Sequence, residues 1–193
     1  VLPYFRKSEG LGQAAPVVID APAHGTSGPL GVSVRAPVIP AAAAFVEAAE
    51  AAGFKRGDYN GRDRGGAAVA SLLQTSTKNG KRSSTYHAFL AGEAEGRANL
   101  TIITGAQATR LVLENLVAKG VEYRTKTGDT HTVLAAREVI VSAGAIGSPH
   151  LLMLSGIGPA GEIRRHGLPV IHDLPGVGAN MQDHVDSVLA YEC

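Results

Sequence analysis

The pattern of apolar and polar positions changes twice along the chain. Leu11 to Pro29 has no period and is rich in Ala, Pro and Gly, which predicts a surface connection. It ends in HGTSGPLGVSV, where Leu30, Val32 and Val34 alternate with small residues as in a strand flanked by glycine turns. Pro40 then opens a predicted helix, with Phe45, Val46, Ala49 and Ala52 on one stripe and Gly53 at the C-terminal cap position. After it comes FKRGDYNGRDRGG, Phe54 to Gly66, polar and dense in glycine. This segment reads as an exposed connector, with a lid or substrate-side loop as the functional alternative. Ser83, Ser84 and Thr85 offer capping oxygens for a short helix through Tyr86 to Leu90.

The second half is richer in strand-forming runs. NLTIIT, ATRLVLE, VEYRT and HTVLAA predict four short strands in a meander, the last two joined by the turn KTGDT. EVIVSAGA follows, and its continuous apolar run Val139 to Val141 predicts a strand buried on both faces. The Ala-Gly after it makes a bend almost free of side chains, a place where a ligand can approach the backbone closely. In the next residues Ser148 is read as the cap of a helix started by Pro149, with His150 to Leu154 as its apolar turn and Ser155-Gly156-Ile157-Gly158 as its end. Strand, turn, helix and turn thus form one cassette.

Composition narrows the functional classes. The 193 residues suffice for a large domain or parts of two, and 18 basic against 17 acidic residues create no field for nucleic acid or an anionic membrane. The expected partner is a small molecule. The single cysteine, Cys193, excludes an internal disulfide framework and a CxxC zinc site. No apolar run reaches the ~18 residues of a membrane span. The histidines at 24, 87, 131, 150, 166 and 172 lack metal-ligand spacing and are read as structural. Because the chain starts at Val1 and stops inside an apparent strand, it is expected to be a piece of a longer protein, which leaves its compartment open.

GAIGSPHLLMLSGIG, Gly144 to Gly158, resembles the second signature of the glucose-methanol-choline (GMC) oxidoreductases at every constrained position. LPYFRKSE, HGTSGPLGVS, GKRSSTYHAFL, NLTIITGAQATRL, VIVSAGAIGSP, HGLPVIHDLPGVGANMQDH and VLAYEC agree in order and spacing, so the resemblance covers essentially the whole chain. GVGANMQDHVD with YEC looks most like the choline dehydrogenase and bacterial-type alcohol dehydrogenase branch.

The resemblance implies an α/β, mixed α+β fold: part of a Rossmann-like FAD-binding domain interleaved with an antiparallel-sheet substrate domain. Residues 1–96 would lie mainly on the substrate side, 97–158 in the flavin domain, and 159–193 would return toward the substrate domain. It also implies that Ala108 contacts the adenine of FAD through its backbone and that Ser142, Ala143 and Gly144 line the adenosine end. Gly176, Gly178, Asn180, Gln182 and Asp183 lie in the matching segment that leads toward the active-site side, and of these Asn180, Gln182 and Asp183 are implied to bind the cofactor. In the choline-oxidising branch a histidine at the place of His184 stands near the substrate, where an imidazole can stabilise a developing alkoxide. The alternative is a structural histidine hydrogen-bonded beside Asp183.

What the resemblance implies for the complete enzyme is oxidation of a small-molecule alcohol to an aldehyde or ketone, with hydride transfer to flavin N5 and electrons passed to oxygen or another acceptor. The family's GxGxxG and its principal catalytic histidine are not in this sequence, so the 193 residues alone are expected neither to hold FAD tightly nor to turn over. Two rivals stay open. One is a lyase or photodecarboxylase of the same fold, although Ser187 stands where the photodecarboxylase pattern has a cysteine. The other is a non-catalytic remnant.

Overall fold

Local sequence explains most of the elements in the computed structural model, which describes residues 1–12, 18–62, 68–92 and 94–190. Parts of the Leu11 to Pro29 connection and of the Phe54 to Gly66 loop, and the terminal YEC with Cys193, lie outside the described residues. The chain divides into two compact units, Val1–Ile102 and Ile103–Cys193.

In the first unit α1 (Leu2–Ser8), with Pro3 in its first turn, runs directly into β1 (Glu9–Leu11). A 3₁₀ turn at Ala21–Ala23 precedes β2 (Leu30–Val34). β2 lies parallel to β1, with Glu9 opposite Leu30 and Leu11 opposite Val32. The alternation read at Leu30, Val32 and Val34 is therefore a strand, and Val34 is buried. α2 (Pro40–Ala51) starts at its proline and ends before Gly53, whose φ of +94° suits the left-handed region glycine tolerates.

The face that α2 turns inward differs from the expected stripe. Val46 is buried and Ala42, Ala43 and Ala49 are half-buried, but Phe45 is 70% exposed and Ala52 is also exposed. The inward face follows Ala42, Val46 and Ala49 at helical spacing, and Phe45 lies about 100° round the helix from Val46.

β3 (Lys55–Arg56) pairs in parallel with β4 (Val69–Ala70), and β5 (Gln74–Thr75) adds antiparallel to β2, completing the sheet order β1-β2-β5. β6 (Thr77–Lys78) and β7 (Lys81–Arg82) form a hairpin around Asn79-Gly80, both at positive φ, the pairing a two-residue turn favours. α3 (Thr85–Phe89) is capped by Ser84, whose Oγ accepts the His87 backbone N–H. Ser83 is used differently, being buried with its Oγ accepting the Gly31 N–H at 2.9 Å.

The second unit opens with an antiparallel meander, β8 (Ala106–Glu114), β9 (Val117–Thr125) and β10 (Thr130–Leu134), in the order β10-β9-β8. Asn115 and Leu116, both at positive φ, turn β8 into β9, and Gly128 turns β9 into β10 within KTGDT. The fourth expected strand does not form: residues 101–104 of NLTIIT have no strand partner among the described residues, and pairing begins at Ala106. Residues 139–141 likewise form no strand, and Ile140 is 79% exposed. An apolar run becomes a buried strand only where neighbours cover its edges and faces, and none of the described strands pairs with it.

α4 (Gly144–Leu154) begins five residues earlier than the Pro149 start expected for it, so Pro149 lies inside the helix. Ser148 still serves the N-terminus: its Oγ accepts the Ala143 N–H at 3.0 Å. Gly156 follows the C-cap at φ +81°, so Ser155-Gly156-Ile157-Gly158 ends the helix as read. β11 (Ile157–Gly158), α5 (Ala160–Arg165) and β12 (His172–Asp173) complete the unit, β11 pairing in parallel with β12. Asp173 returns to accept the Ala160 N–H at 3.0 Å at the start of α5. The core of this unit is Leu111, Leu151, Ala160 and Ile163, the last only 2% exposed.

Candidate functional site

Two parts of the chain concentrate unusual geometry, one in each unit. In the second unit, Ser142, Ala143 and Gly144 are exposed at the entrance to α4. Gly144 has φ +86°, and open space surrounds the position a Cβ would take. The first N–H groups of any α-helix have no acceptor within the helix, so this side-chain-poor entrance also presents donors. α4 packs on β8, the edge strand of the meander, and the two are tied by one side chain. Ser155 Oγ accepts the Leu111 N–H at 2.8 Å and donates to the Leu151 carbonyl at 2.6 Å, with all three residues buried.

Ala108 lies half-buried in β8, next to a break in register between Ala108 and Arg110. At that bulge Thr109 Oγ1 donates to Glu122 Oε1 at 2.8 Å, and Arg110 holds the other carboxylate oxygen of Glu122 at 2.8 Å. Hydrogen bonds from Arg110, then from Thr109, keep the Glu122 carboxyl below its ordinary range. Bulges of this kind re-aim backbone and side chains locally and recur beside ligand sites.

The segment after β12 comes close to α4 at Gly178, where a Cβ would lie 3.3 Å from Met153 Cε. Asn180 has φ +54°, and Asn180, Gln182, Asp183 and His184 are all exposed. His184 donates its backbone N–H to Asp183 Oδ1 at 2.8 Å, whereas its ring Nδ1 stands 4.0 Å from the same oxygen, beyond hydrogen-bond reach. Asp183 therefore does not fix the imidazole through a ring hydrogen bond.

In the first unit the structure assembles a group the sequence did not reveal. His24 is buried, with Nδ1 2.8 Å from Glu9 Oε1 and Nε2 2.8 Å from Asp58 Oδ2. Asp58, expected in an exposed polar connector, is instead 6% exposed. Burial resists its ionisation, but hydrogen bonds from the Asp20 N–H, Gln74, the Asn60 N–H and His24 outweigh that and lower its pKa below the ordinary 3.8. The sequence signal was present in DYNG: Asp58 Oδ1 accepts the Asn60 N–H at 2.9 Å, the turn a short acidic side chain makes with its own backbone. Among the described residues no group of three or more His, Cys, Asp and Glu is arranged to hold a metal ion. No helix among them is long and apolar enough to cross a membrane.

Comparison with known proteins completes the picture. The oxygen-dependent choline dehydrogenase of Pseudomonas aeruginosa strain LESB58 is 43% identical over 195 residues, covering 100% of this chain and 33% of the relative. That of Paraburkholderia xenovorans strain LB400 is 42% identical with the same coverage. The chain thus spans about a third of the length of these curated relatives. Among solved structures, pyridoxine 4-oxidase from Mesorbium loti superposes with a TM-score of 0.74 at 34% identity, over 90% of this chain and 33% of that one. An FAD-dependent oxidoreductase from Chaetomium thermophilum does so with a TM-score of 0.78 at 28% identity, over 91% and 31%. The GMC oxidoreductase pattern matches residues 1–186. With its signature run, its fold and this match in agreement, the chain belongs to the GMC oxidoreductase family.

Proposed function

We propose that this chain is part of an FAD-dependent enzyme that oxidises a small-molecule alcohol to an aldehyde or ketone. The family match over residues 1–186 carries the reading. The names of the choline dehydrogenase and pyridoxine 4-oxidase relatives are consistent with it. In this reading residues 1–96 serve mainly the substrate side, 97–158 the flavin side, and 159–193 lead back to the substrate.

The residues at the α4 entrance fit the adenosine end of FAD. Ser142, Ala143 and Gly144 are exposed and nearly without side chains, and the open space at Gly144 is what a closely approaching nucleotide needs. The bulge beside Ala108 supports a backbone contact to the adenine there. When bound, FAD supplies the hydride acceptor at N5, a capacity no side chain has. Asn180, Gln182 and Asp183, exposed in the segment that leads toward the active-site side, take part in binding the cofactor. His184, with an exposed ring that Asp183 does not hold, is free to turn its N–H toward an alkoxide forming on the alcohol. Electrons leave to oxygen or to another acceptor. The 193 residues, spanning a third of their relatives, do not perform this chemistry alone.

The test is a product assay on the longer protein that contains this sequence, loaded with FAD and offered choline and a panel of primary alcohols. Aldehyde or ketone formed in step with acceptor reduction supports the proposal. A flavin-loaded protein that forms no carbonyl product, or that releases cyanide from a cyanohydrin, contradicts it.

A further inference from the structure

Three segments far apart in sequence meet at His24: Glu9 from β1, His24 after the 3₁₀ turn, and Asp58 from the loop after β3. Ionised carboxylates only accept hydrogen bonds, and a neutral imidazole has one N–H. A neutral ring between two ionised carboxylates would therefore aim a lone pair at one of them across 2.8 Å. The doubly protonated ring serves both.

Each carboxylate is also held by donors other than the ring. Glu9 Oε2 takes the Gly25 N–H at 2.9 Å, Asp58 Oδ2 the Asp20 N–H at 2.9 Å, and Asp58 Oδ1 the Asn60 N–H and Gln74 Nε2, each at 2.9 Å. The remaining charged groups nearby face elsewhere. Arg6 on α1 donates its Nε to the His24 carbonyl at 3.2 Å and shares a surface groove with Lys7, while Asp20 turns its carboxylate to Arg62. Glu9 and Asp58 are thus the acids that bear on the ring.

We propose that Glu9, His24 and Asp58 form a pH-operated clasp, which binds β1, the His24–Gly28 loop and the Asp58–Arg62 loop together while His24 carries both ring protons and releases one carboxylate when it loses one. The loop it closes has little room to adjust. A Cβ at Gly25 would collide with the Arg6 carbonyl and one at Gly28 with the backbone of Ser8, so backbone lies directly on backbone. Asp58 is the side to let go, since Glu9 is fastened to the Gly25 N–H beside the ring, and without the imidazole the Asp58 carboxylate holds the Asp20 and Asn60 N–H groups less steadily.

The energetics have a definite sign. Burial disfavours the charge on His24, but its hydrogen bonds to Glu9 and Asp58 outweigh burial and raise its pKa above the ordinary 6.5. The stabilisation from His24 is fully present below 6.5 and is lost as pH rises through the higher folded value. Asp58 sets the opposite limit, its contribution being present above 3.8 and lost as pH falls through its lower folded value. The clasp is closed between these limits.

The experiment is an NMR titration of the full 193-residue chain labelled uniformly with ¹⁵N, reading both ring nitrogens of His24 together with amide exchange at Asp20 and Asn60. The expected result is a ring protonated at both nitrogens through pH 6.5. As that proton is lost at higher pH, the two amides should exchange about tenfold faster than intrinsic pH dependence alone requires. Glu9→Gln, which keeps the size of the side chain and removes one charge, should move the His24 midpoint down toward 6.5. A ring with one protonated nitrogen below pH 6.5, which would place the proton on a carboxyl group, overturns the proposal. So does amide exchange that ignores the titration. If Glu9→Gln fails to fold, the titration of the unaltered chain still decides.

Discussion

Replacing Ser155 by alanine removes one oxygen and tests how the second unit is fastened. Ser155 Oγ accepts the Leu111 N–H at 2.8 Å and donates to the Leu151 carbonyl at 2.6 Å, and these residues belong to the buried core. The two bonds have unequal consequences when lost. The Leu151 carbonyl keeps the Ser155 backbone N–H at 3.1 Å, so it stays satisfied. The Leu111 N–H lies on the edge of β8 facing away from β9 and loses its acceptor. A buried donor left without a partner costs about 1–3 kcal/mol, and the middle of that range, about 2 kcal/mol, is the expected loss. The cavity adds little, because only a hydroxyl is removed. Two units make a single global unfolding free energy ambiguous, so the assay is native-state hydrogen exchange at Leu111 and its β8 neighbours. About 2 kcal/mol corresponds to about 30-fold faster exchange. An acceleration below about threefold would show that Ser155 does not hold α4 to the meander.

Three further outcomes are expected. Gly144→Val, at φ +86° on the α4 entrance, should lower FAD occupancy of the longer protein by about tenfold or more, while Gly128→Val, equally strained at φ +95° in a hairpin turn, should leave occupancy unchanged; flavin absorbance per protein reads both. His184→Ala should reduce kcat/KM for the alcohol by on the order of 10²-fold without altering flavin content, measured by steady-state kinetics with an artificial acceptor. Asp58→Asn should lessen the fall of first-unit stability below about pH 4, because the lowered pKa of Asp58 contributes to that fall beside Asp20; urea unfolding at several acid pH values checks this.

Sequence reading succeeded where structure is local and failed where it depends on distant partners. The KTGDT turn, the strand at Leu30–Val34 and the bounds of α2 follow from Gly, Pro and alternation within a few residues. Asn79-Gly80 carries an equally local hairpin signal. The Val139–Val141 run and the start of NLTIIT are apolar enough for strands, yet strand formation needs a neighbour, which composition does not supply. In α4, Pro149 was read as a starter because proline favours the first turn; the turn made by Ala143 and Ser148 begins the helix earlier. For the candidate site, the bend after EVIV is legible as a stretch poor in side chains, and Ser142–Gly144 are exposed there. The Glu9–His24–Asp58 cluster was not legible, because its members lie 15 and 34 residues from one another and no spacing rule links them. Ser155 and Leu111, 44 residues apart, were hidden for the same reason.

The central claim, that this sequence belongs to a working flavin-dependent alcohol oxidoreductase, is tested most directly by the visible spectrum of the longer protein isolated from its natural source. Oxidised-flavin bands in stoichiometric amount, bleached when an alcohol is added without oxygen and restored when an acceptor is admitted, are the predicted result. A protein that carries flavin but keeps its bands with every alcohol, or one that neither carries nor takes up FAD, would contradict the account.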